Sequence, residues 1–238
     1  AICCSRPTNP TGNVLTDDEM ARLEAIAKRF DIPLIIDNAY GMPFPNIIYS
    51  QATLNWNEQI ILCFSLSKIG LPGVRTGIVV ANPQVVKAIS SLNAIVNLAP
   101  TRFGAAIATP LLQDDRLKDL SDNHIRPFYQ GQAKLAVQLL KQELGDLPKD
   151  AMKIHKPEGA IFLWVWFKDL PITTVELYAR LKAKGTLIIP SEHFFVGVDT
   201  ENFKHAHECI RLSIAQDDDT LKKGIATIGE VVRAVYNS

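Results

Sequence analysis

Short apolar runs mark four strand-like segments in the first third of the chain. They lie at residues 2–4, 33–37, 60–64 and 77–81. The continuous run Ile60-Ile61-Leu62-Cys63-Phe64 is typical of a strand buried on both faces of a parallel sheet. Between the first two runs, Thr16-Asp17-Asp18-Glu19 has the pattern of a capping box, and apolar residues then recur at helical spacing up to Phe30. This order of strand, helix and strand predicts a right-handed βαβ unit.

The pattern changes after residue 82. Helical spacing begins near residue 83, with breaks predicted at Pro100, Pro110 and Pro127, and a long helix is predicted over 129–144. Farther along, strands are predicted at 160–167, 187–189 and 209–215, with helices after the cap at Thr173 and over 218–236. These elements predict an α/β domain over residues 1–125, followed by a smaller α+β domain over residues 126–238.

Polar side chains follow three of the predicted strands, at the point where each strand ends. The carboxyl ends of parallel strands meet at one edge of a sheet, which is where ligands bind in open α/β folds. The residues concerned are Asn9 after the first strand, Asp37 and Tyr40 after the second, and Ser65, Ser67, Lys68 and Arg75 after the third. An amine, an acid, a phenol, an amide and a guanidinium at one edge suit a ligand with a carbonyl, a ring nitrogen, a hydroxyl and a phosphate.

The order of these motifs resembles that of the fold-type-I pyridoxal-phosphate aminotransferases of class I and II. The motifs are N-P-T-G at 9–12, D-x-x-Y at 37–40, S-x-S-K at 65–68, G-x-R-x-G at 73–77 and the arginine of C-I-R-L-S-I-A at 209–215. The resemblance covers essentially the whole chain. It implies a three-layer αβα fold with a mostly parallel sheet, of which residues 1–125 form the C-terminal part, and pyridoxal 5'-phosphate as cofactor.

The resemblance also implies a role for each residue. Lys68 would bind the cofactor covalently and move a proton during the reaction, and Asp37 would keep the pyridine nitrogen protonated. Tyr40 and Asn9 would hydrogen-bond the oxygen on the cofactor ring. The remaining roles are phosphate binding, by Ser65, Ser67 and Arg75, and substrate binding, by Arg211 together with Asn9.

Two features depart from the common family pattern. Lys68 and Arg75 are seven residues apart, one fewer than usual, which predicts a tighter turn between them. The family's N-terminal phosphate-binding turn, its ring-stacking aromatic residue and its tyrosine from the partner subunit have no counterpart in the sequence. We therefore expect a longer protein whose N-terminal part precedes Ala1, and we expect residues 1–238 alone to be inactive.

The expected reaction is transfer of an amino group from a small aliphatic amino acid, such as valine or alanine, to a 2-oxo acid such as pyruvate, by a ping-pong mechanism. Within the family, the segment at 155–174 is most similar to the branch that acts on valine and pyruvate. The motifs leave two alternatives open, a lyase or synthase of the same fold, and the aminotransferase-like domain of a transcription regulator. A dinucleotide-binding domain is disfavoured, because no G-x-G-x-x-G follows a strand.

The amino-acid composition limits the classes of binding partner that the sequence predicts. Lys and Arg number 25, as do Asp and Glu, so nothing in the charge balance indicates binding to nucleic acid or a membrane surface. The four cysteines, Cys3, Cys4, Cys63 and Cys209, lie in apolar runs and are expected to be buried thiols of a cytoplasmic protein. The expected partners are small substrates and a second subunit, since the family's active sites are shared within a homodimer.

The segment His205-Ala-His207-Glu208-Cys209 contains metal-ligating residue types. Two histidines two positions apart would share one face of a strand. No further residue follows at the spacing of a metal site, so no metal is predicted. The nearby Trp164 and Trp166 are expected to pack within the smaller domain.

Overall fold

A computed structural model describes residues 1–99 and 101–237. The chain forms two compact units. The first consists of Ala1–Thr8, Asn13–Phe128 and Glu158–Ala160, and the second consists of Asn9–Gly12, Tyr129–Pro157 and the chain from Ile161 on. Each unit is therefore built from more than one stretch of sequence, because Asn9–Gly12 clusters with the second unit and Glu158–Ala160 with the first.

The first unit contains a four-stranded mixed sheet in the order β1-β2-β3-β4. The strands are β1 (Ile2–Ser5), β2 (Leu34–Asp37), β3 (Ile60–Ser65) and β4 (Gly77–Val80). Strands β1, β2 and β3 are parallel, and β4 is antiparallel to β3. The predicted α/β fold with a mostly parallel sheet is confirmed.

Helix α1 (Asp17–Arg29) joins β1 to β2 and covers one face of this sheet. Its capping box is formed as predicted: the Thr16 side chain accepts from the Glu19 N–H, and the Glu19 side chain accepts from the Thr16 N–H. Met20 and Ala27 of α1 are buried against the side chains of even-numbered strand residues, namely Leu34, Ile36, Ile60 and Leu62.

The expectation that β3 is buried on both faces is wrong. Its residues alternate, with Ile60 and Leu62 buried and Ile61 and Cys63 only half-buried. Successive side chains of a strand point to opposite faces, and α1 packs on the face of the even-numbered residues. The continuous apolar run therefore did not show that α1 covers only one face of this strand.

Four helical segments follow β4. They are α2 (Pro83–Asn97), α3 (Phe103–Gln113), α4 (Arg116–Leu120) and α5 (Arg126–Glu143). Pro110 lies inside α3, so the predicted break there is wrong, and the predicted break at Pro100 lies outside the described residues. The chain also passes Pro127 without a break. A π-helical turn, Ser121–Ile125, precedes it, and the Arg126 N–H donates to Ser121 O.

The second unit contains an antiparallel sheet in the order β5-β6-β8-β7. Its strands are β5 (Met152–Ile154), β6 (Phe162–Phe167), β7 (Ile189–Pro190) and β8 (Cys209–Ser213), and its later helices are α6 (Thr174–Ala183) and α7 (Asp218–Tyr236). Strand β5 was not predicted, because three residues carry too little pattern. The strand predicted at 187–189 begins only at Ile189, and Leu187 is exposed.

Three of the four cysteines are less buried than the sequence predicted. All four are free thiols, but Cys3 is exposed and Cys4 and Cys63 are half-buried, so only Cys209 is buried. Cys3 and Cys63 lie on the sheet face opposite α1, and β1 is an edge strand of the described sheet. In the described part of the chain, no helix is long and apolar enough to cross a membrane.

Arg6, a buried cation that the sequence did not single out, holds the first unit together. Its guanidinium donates to Leu15 O, Thr53 O and the Asp17 carboxylate, each at 2.7 Å. The hydrogen bond from Arg6, followed by those from Thr53, lowers the pKa of Asp17 to about 2. One side chain thus joins the end of β1, the start of α1 and the loop before β3.

We expect Arg6→Ala to lower the free energy of unfolding by about 3 kcal/mol, because two carbonyls and a carboxylate lose their donor. Urea denaturation of the full-length protein measures this. Arg22→Ala, at an exposed position of α1, is the control and should change the free energy of unfolding by less than about 0.5 kcal/mol. Equal losses in the two variants would contradict the structural role of Arg6.

Candidate active site

Asp37 ends β2 at the carboxyl edge of the parallel strands. In the strand register it lies between Ser5 of β1 and Cys63 of β3. The carboxylate is exposed, and its Oδ1 accepts the Ala39 N–H at 3.1 Å. The neighbouring Asn38 is buried and fixes the loop that follows. Asp37 therefore presents its charge at the edge where ligands of open α/β sheets bind.

Close packing holds the loop after Asp37. The Asn38 N–H donates to Cys63 O at 2.9 Å, and the Gly41 N–H donates to Asn38 O at 3.1 Å. A Cβ atom at Gly41 would lie 1.8 Å from Asn38 Oδ1, so only glycine fits there. Tyr40, between these two residues, is buried, and its carbonyl accepts the Ile47 N–H at 2.8 Å.

Lys68 lies on a 3₁₀ turn, Leu66–Ile69, that begins directly after β3. The turn is capped by Ser65, whose Oγ accepts the Ser67 N–H at 3.2 Å, and it is anchored by the buried Leu66 and Ile69. The half-buried Lys68 side chain places its Nζ 5.2 Å from the centroid of the Tyr40 ring. The ends of β2 and β3 thus bring an amine and a phenol together.

Two tight turns span the seven residues from Lys68 to Arg75. Gly70 ends the first turn at φ 96°, and a second 3₁₀ turn, Pro72–Val74, leads into Arg75. The Arg75 Nη1 then lies 3.4 Å from Ser67 Oγ and 3.2 Å from Pro72 O. The chain folds back so that a guanidinium and a serine hydroxyl lie side by side, a donor set that suits a phosphate.

The second unit holds the other two predicted site residues, Asn9 and Arg211. Arg211 lies on β8, opposite Trp164 of β6. Its Nη1 donates to Asn9 Oδ1 at 2.6 Å. Asn9 lies in the short segment, Asn9–Gly12, that clusters with this unit although it follows the first strand.

Two phenyl rings flank the Arg211 guanidinium, and the sequence analysis missed both. The guanidinium carbon is 4.9 Å from the ring centroid of Phe162 and 4.9 Å from that of Phe194. Phe194 also makes an edge contact with Trp164, at 5.4 Å between centroids. An arginine inside an apolar strand beside an aromatic-rich strand was the sequence feature that could have indicated this arrangement.

The histidine segment takes a different shape from the strand that was considered for it. His205 and His207 lie on a 3₁₀ turn, Lys204–His207, which precedes β8. Within residues 1–99 and 101–237, no group of three or more His, Cys, Asp or Glu is arranged to hold a metal ion. His205 Nε2 lies 3.5 Å from Cys209 Sγ, and burial raises the pKa of that thiol to about 12.

The fold and these side chains define a class of protein. The family model "Aminotransferase class I and II" matches residues 1–228. The chain belongs to this family, whose cofactor is pyridoxal phosphate.

Individual relatives point to one branch of the family. The chain is 46% identical to the valine–pyruvate aminotransferase of Escherichia coli K12 over 99% of its own length and 55% of the relative's. The crystal structure of valine–pyruvate aminotransferase from Salmonella typhimurium LT2 matches with 46% identity and a TM-score of 0.92, covering 100% of this chain and 60% of the other.

A second solved structure is more similar in sequence. It is a protein assigned as an amino-acid aminotransferase from Psychrobacter arcticum 273-4, with 73% identity and a TM-score of 0.95, covering 100% of this chain and 54% of the other. The chain therefore spans little more than half the length of the relatives it matches.

The residues of the first unit fit the family's cofactor. The pair of Arg75 and Ser67 supplies a cation and a hydroxyl for a phosphate, with Ser65 in the same turn. Asp37 supplies an exposed carboxylate for a ring nitrogen, and Lys68 supplies a primary amine for a carbonyl. The phosphate, the ring nitrogen and the carbonyl of pyridoxal phosphate thus each have a chemically matched side chain at this sheet edge.

Proposed function

We propose that the full-length protein is a pyridoxal-phosphate aminotransferase that moves an amino group from a small aliphatic amino acid to a 2-oxo acid such as pyruvate. The observation that carries this proposal is the position of Lys68, whose amine lies over the Tyr40 ring at the carboxyl edge of the sheet. Reaction with a carbonyl needs a primary amine that can be neutral at the moment of attack, and Lys68 supplies a primary amine at this sheet edge.

Four residues of the first unit are proposed to hold the cofactor. Ser65, Ser67 and Arg75 bind the phosphate, with Arg75 providing the positive charge. The Asp37 carboxylate accepts a hydrogen bond from the pyridine N–H and keeps that nitrogen protonated.

The remaining residues are proposed to orient groups and move a proton. Bound pyridoxal phosphate supplies an electron sink for the electrons released at the substrate Cα. Lys68 Nζ would take the proton from the substrate Cα and hold it for its return during the transfer. Tyr40 and Asn9 would each supply a hydrogen-bond donor for the oxygen on the cofactor ring.

Arg211 and Asn9 are proposed to bind the substrate carboxylate. The two rings flanking Arg211 exclude water from the faces of the guanidinium, which strengthens its hydrogen bonds to an anion. The identity to valine–pyruvate aminotransferases supports valine or alanine as amino donor and pyruvate as acceptor.

The assembly is also part of the proposal. Residues 1–125 belong to the large cofactor-binding domain of the family and residues 126–238 to its small C-terminal domain. The full-length protein is proposed to be a cytoplasmic homodimer in which each active site uses residues of both subunits. Its substrates are small molecules, and no role for nucleic acid or membrane is proposed.

The test is to incubate the purified full-length protein with pyridoxal phosphate, L-valine and pyruvate and to identify all products. We expect alanine and the 2-oxo acid of valine in equal amounts, with the parallel double-reciprocal plots of ping-pong kinetics. Release of ammonia or carbon dioxide instead would favour a lyase. Tight, salt-dependent DNA binding without turnover would favour a transcription regulator.

We expect Arg211→Lys to raise KM for amino-acid and oxo-acid substrates alike, by roughly ten- to a hundredfold, because lysine keeps the charge but loses the planar pair of donors. Steady-state kinetics with both substrates measures this, and cofactor binding should not change. Arg180→Lys, at an exposed position on α6, is the matched control. Equal reactivity of the wild type with amines that lack a carboxylate would contradict the role.

A further inference from the structure

A network of hydrogen bonds holds the 3₁₀ turn that carries Phe194. The turn spans Ser191–Phe194. Ser191 Oγ donates to Ala206 O at 2.6 Å and accepts the Cys209 N–H at 3.2 Å. Both Ser191 and Thr174, its neighbour from α6 at 3.2 Å, are fully buried. The turn is therefore joined to α6, to the histidine segment and to the start of β8.

The charged part of this network is the pair of Glu192 and His207. Glu192 Oε1 lies 2.9 Å from His207 Nδ1, and Glu192 Oε2 accepts from Thr174 Oγ1 at 2.9 Å. The other ring nitrogen, His207 Nε2, lies 2.9 Å from Thr200 O. Both nitrogens thus face acceptors.

Only one protonation state of His207 satisfies both contacts. A neutral imidazole carries one N–H, whereas the imidazolium carries two. If His207 loses its proton, either the bond to Glu192 or the bond to Thr200 O is lost. A deprotonated ring would also leave the Glu192 carboxylate, which is mostly buried, without a cationic partner.

We propose that Glu192 and His207 are positioning residues. As an ion pair they hold the 191–194 turn so that Phe194 stays against the Arg211 guanidinium. The pair thereby sets the affinity of the site for the substrate carboxylate. This rests on the proposed function, in which Arg211 binds that carboxylate. Because Arg211 is flanked by a ring from β6 and a ring from this turn, movement of the turn uncovers one face of the guanidinium to water.

The arrangement predicts a dependence on pH. The hydrogen bond that the His207 ring donates to Glu192, followed by the one it donates to Thr200 O, raises the pKa of His207 above its ordinary value. A raised pKa means that the contribution of the pair is complete below the unfolded value of about 6.5 and is lost as the pH rises through the folded value. Other charged groups beside His207 line the same surface cavity of about 480 Å³, namely Glu176 of α6, Glu201, Lys204 and Glu208.

Lys204 does not compete for Glu192. Its Nζ lies 2.6 Å from Asp169 Oδ1 and 3.6 Å from Glu208 Oε1, so its charge is directed to those carboxylates. Glu208 in turn accepts the Trp166 Nε1–H at 2.7 Å and the Asp169 N–H at 2.9 Å. The interaction of Glu192 with His207 is therefore the charge pair on which the turn depends.

The first experiment follows Arg211 directly and needs no turnover. In the wild-type holoenzyme, the NMR resonance of the Arg211 Nε–H carries the ring-current shift of Phe162 and Phe194, and it is assigned by its loss in Arg211→Lys. We expect this resonance to move with the midpoint of the His207 ring titration as the pH is raised. Glu192→Gln and His207→Gln should show the high-pH position already at neutral pH. If the chemical shift of the Arg211 resonance does not change as His207 titrates, the proposal is overturned.

The second experiment measures carboxylate binding. The probe is 3-methylbutanoate, which has the carboxylate and side chain of valine but no amino group, and the matched probe is 2-methylpropan-1-amine, which has no carboxylate. We expect Glu192→Gln and His207→Gln to weaken the carboxylate roughly tenfold and to leave the amine within about twofold. In the wild type, the same loss should appear at high pH.

A matched variant separates this role from general damage to the turn. His193→Gln changes an exposed histidine on the same turn and should leave both probes and the Arg211 resonance unchanged. Equal weakening of both probes in Glu192→Gln and His207→Gln would mean that the pair is merely structural. If the wild type binds neither probe and does not transaminate, the proposed function fails, and the Arg211 resonance still decides the positioning role.

Discussion

Lys68→Ala should remove transamination, with turnover falling by roughly four powers of ten or more. The expectation follows from the two tasks proposed for one amine, covalent attachment of the cofactor and transfer of the Cα proton. No other residue of the 3₁₀ turn Leu66–Ile69 has an amine to replace it. Turnover of L-valine and pyruvate by the full-length protein measures the loss. Borohydride reduction and peptide mapping of the wild type should place the pyridoxyl label on Lys68.

Two further variants test the interpretation of that loss. Lys68→Arg keeps the positive charge near the Tyr40 ring but provides no neutral amine, so it should be as inactive as Lys68→Ala. Lys87→Ala, at an exposed position of α2, should keep wild-type turnover and label. A label on another lysine, or a wild-type protein that takes no label, would contradict the role of Lys68.

The positions of the candidate cofactor residues could be predicted because they depend on local pattern. A buried strand ending in Asp37 and another ending at Ser65 identify two ends of a parallel sheet, and parallel strands bring their carboxyl ends to one edge. The contact between Lys68 and the Tyr40 ring follows from that adjacency. The capping box of α1 could also be predicted, because it lies within four consecutive residues, 16–19.

The surroundings of Arg211 could not be predicted in the same way. The contact with Phe194 joins residues that are 17 positions apart, and it depends on a turn held by Ser191, Glu192 and His207. Nothing in the local pattern of S-E-H-F-F indicates which ring faces the guanidinium. His207 was considered as a metal ligand on a strand, but the chain forms a 3₁₀ turn there and gives both ring nitrogens to oxygen acceptors.

Arg6 illustrates a second limit. In the sequence it is one basic residue among several polar ones after the first strand, next to the motif that carries the family resemblance. Its three partners are Leu15, Asp17 and Thr53, and the bond to Thr53 spans 47 positions. Hydrogen bonds between residues far apart in the chain produce no periodic pattern in the sequence, because any backbone carbonyl can accept from a guanidinium. Burial of the charge becomes visible only once the chain is folded.

Asp37→Asn should lower kcat/KM by about three powers of ten or more, because an uncharged amide cannot hold a proton on the pyridine nitrogen. The structure supports a chemical rather than a structural part for this carboxylate. It is exposed at the sheet edge, and the hydrogen bond that it accepts from the Ala39 N–H is one that the Asn side-chain oxygen can also accept. Folding should therefore survive the change, and thermal unfolding of the variant should match the wild type.

The matched control for this change is Asp31→Asn. Asp31 is exposed and has φ 48°, a backbone conformation that asparagine also adopts readily, so the same chemical change there should leave turnover unaltered. The absorbance of the bound cofactor gives a second readout, since loss of the partner carboxylate should shift the titration of the ring nitrogen to lower pH. Turnover of Asp37→Asn within about threefold of the wild type, which is under 1 kcal/mol in the barrier, would mean that the carboxylate does not act on the ring.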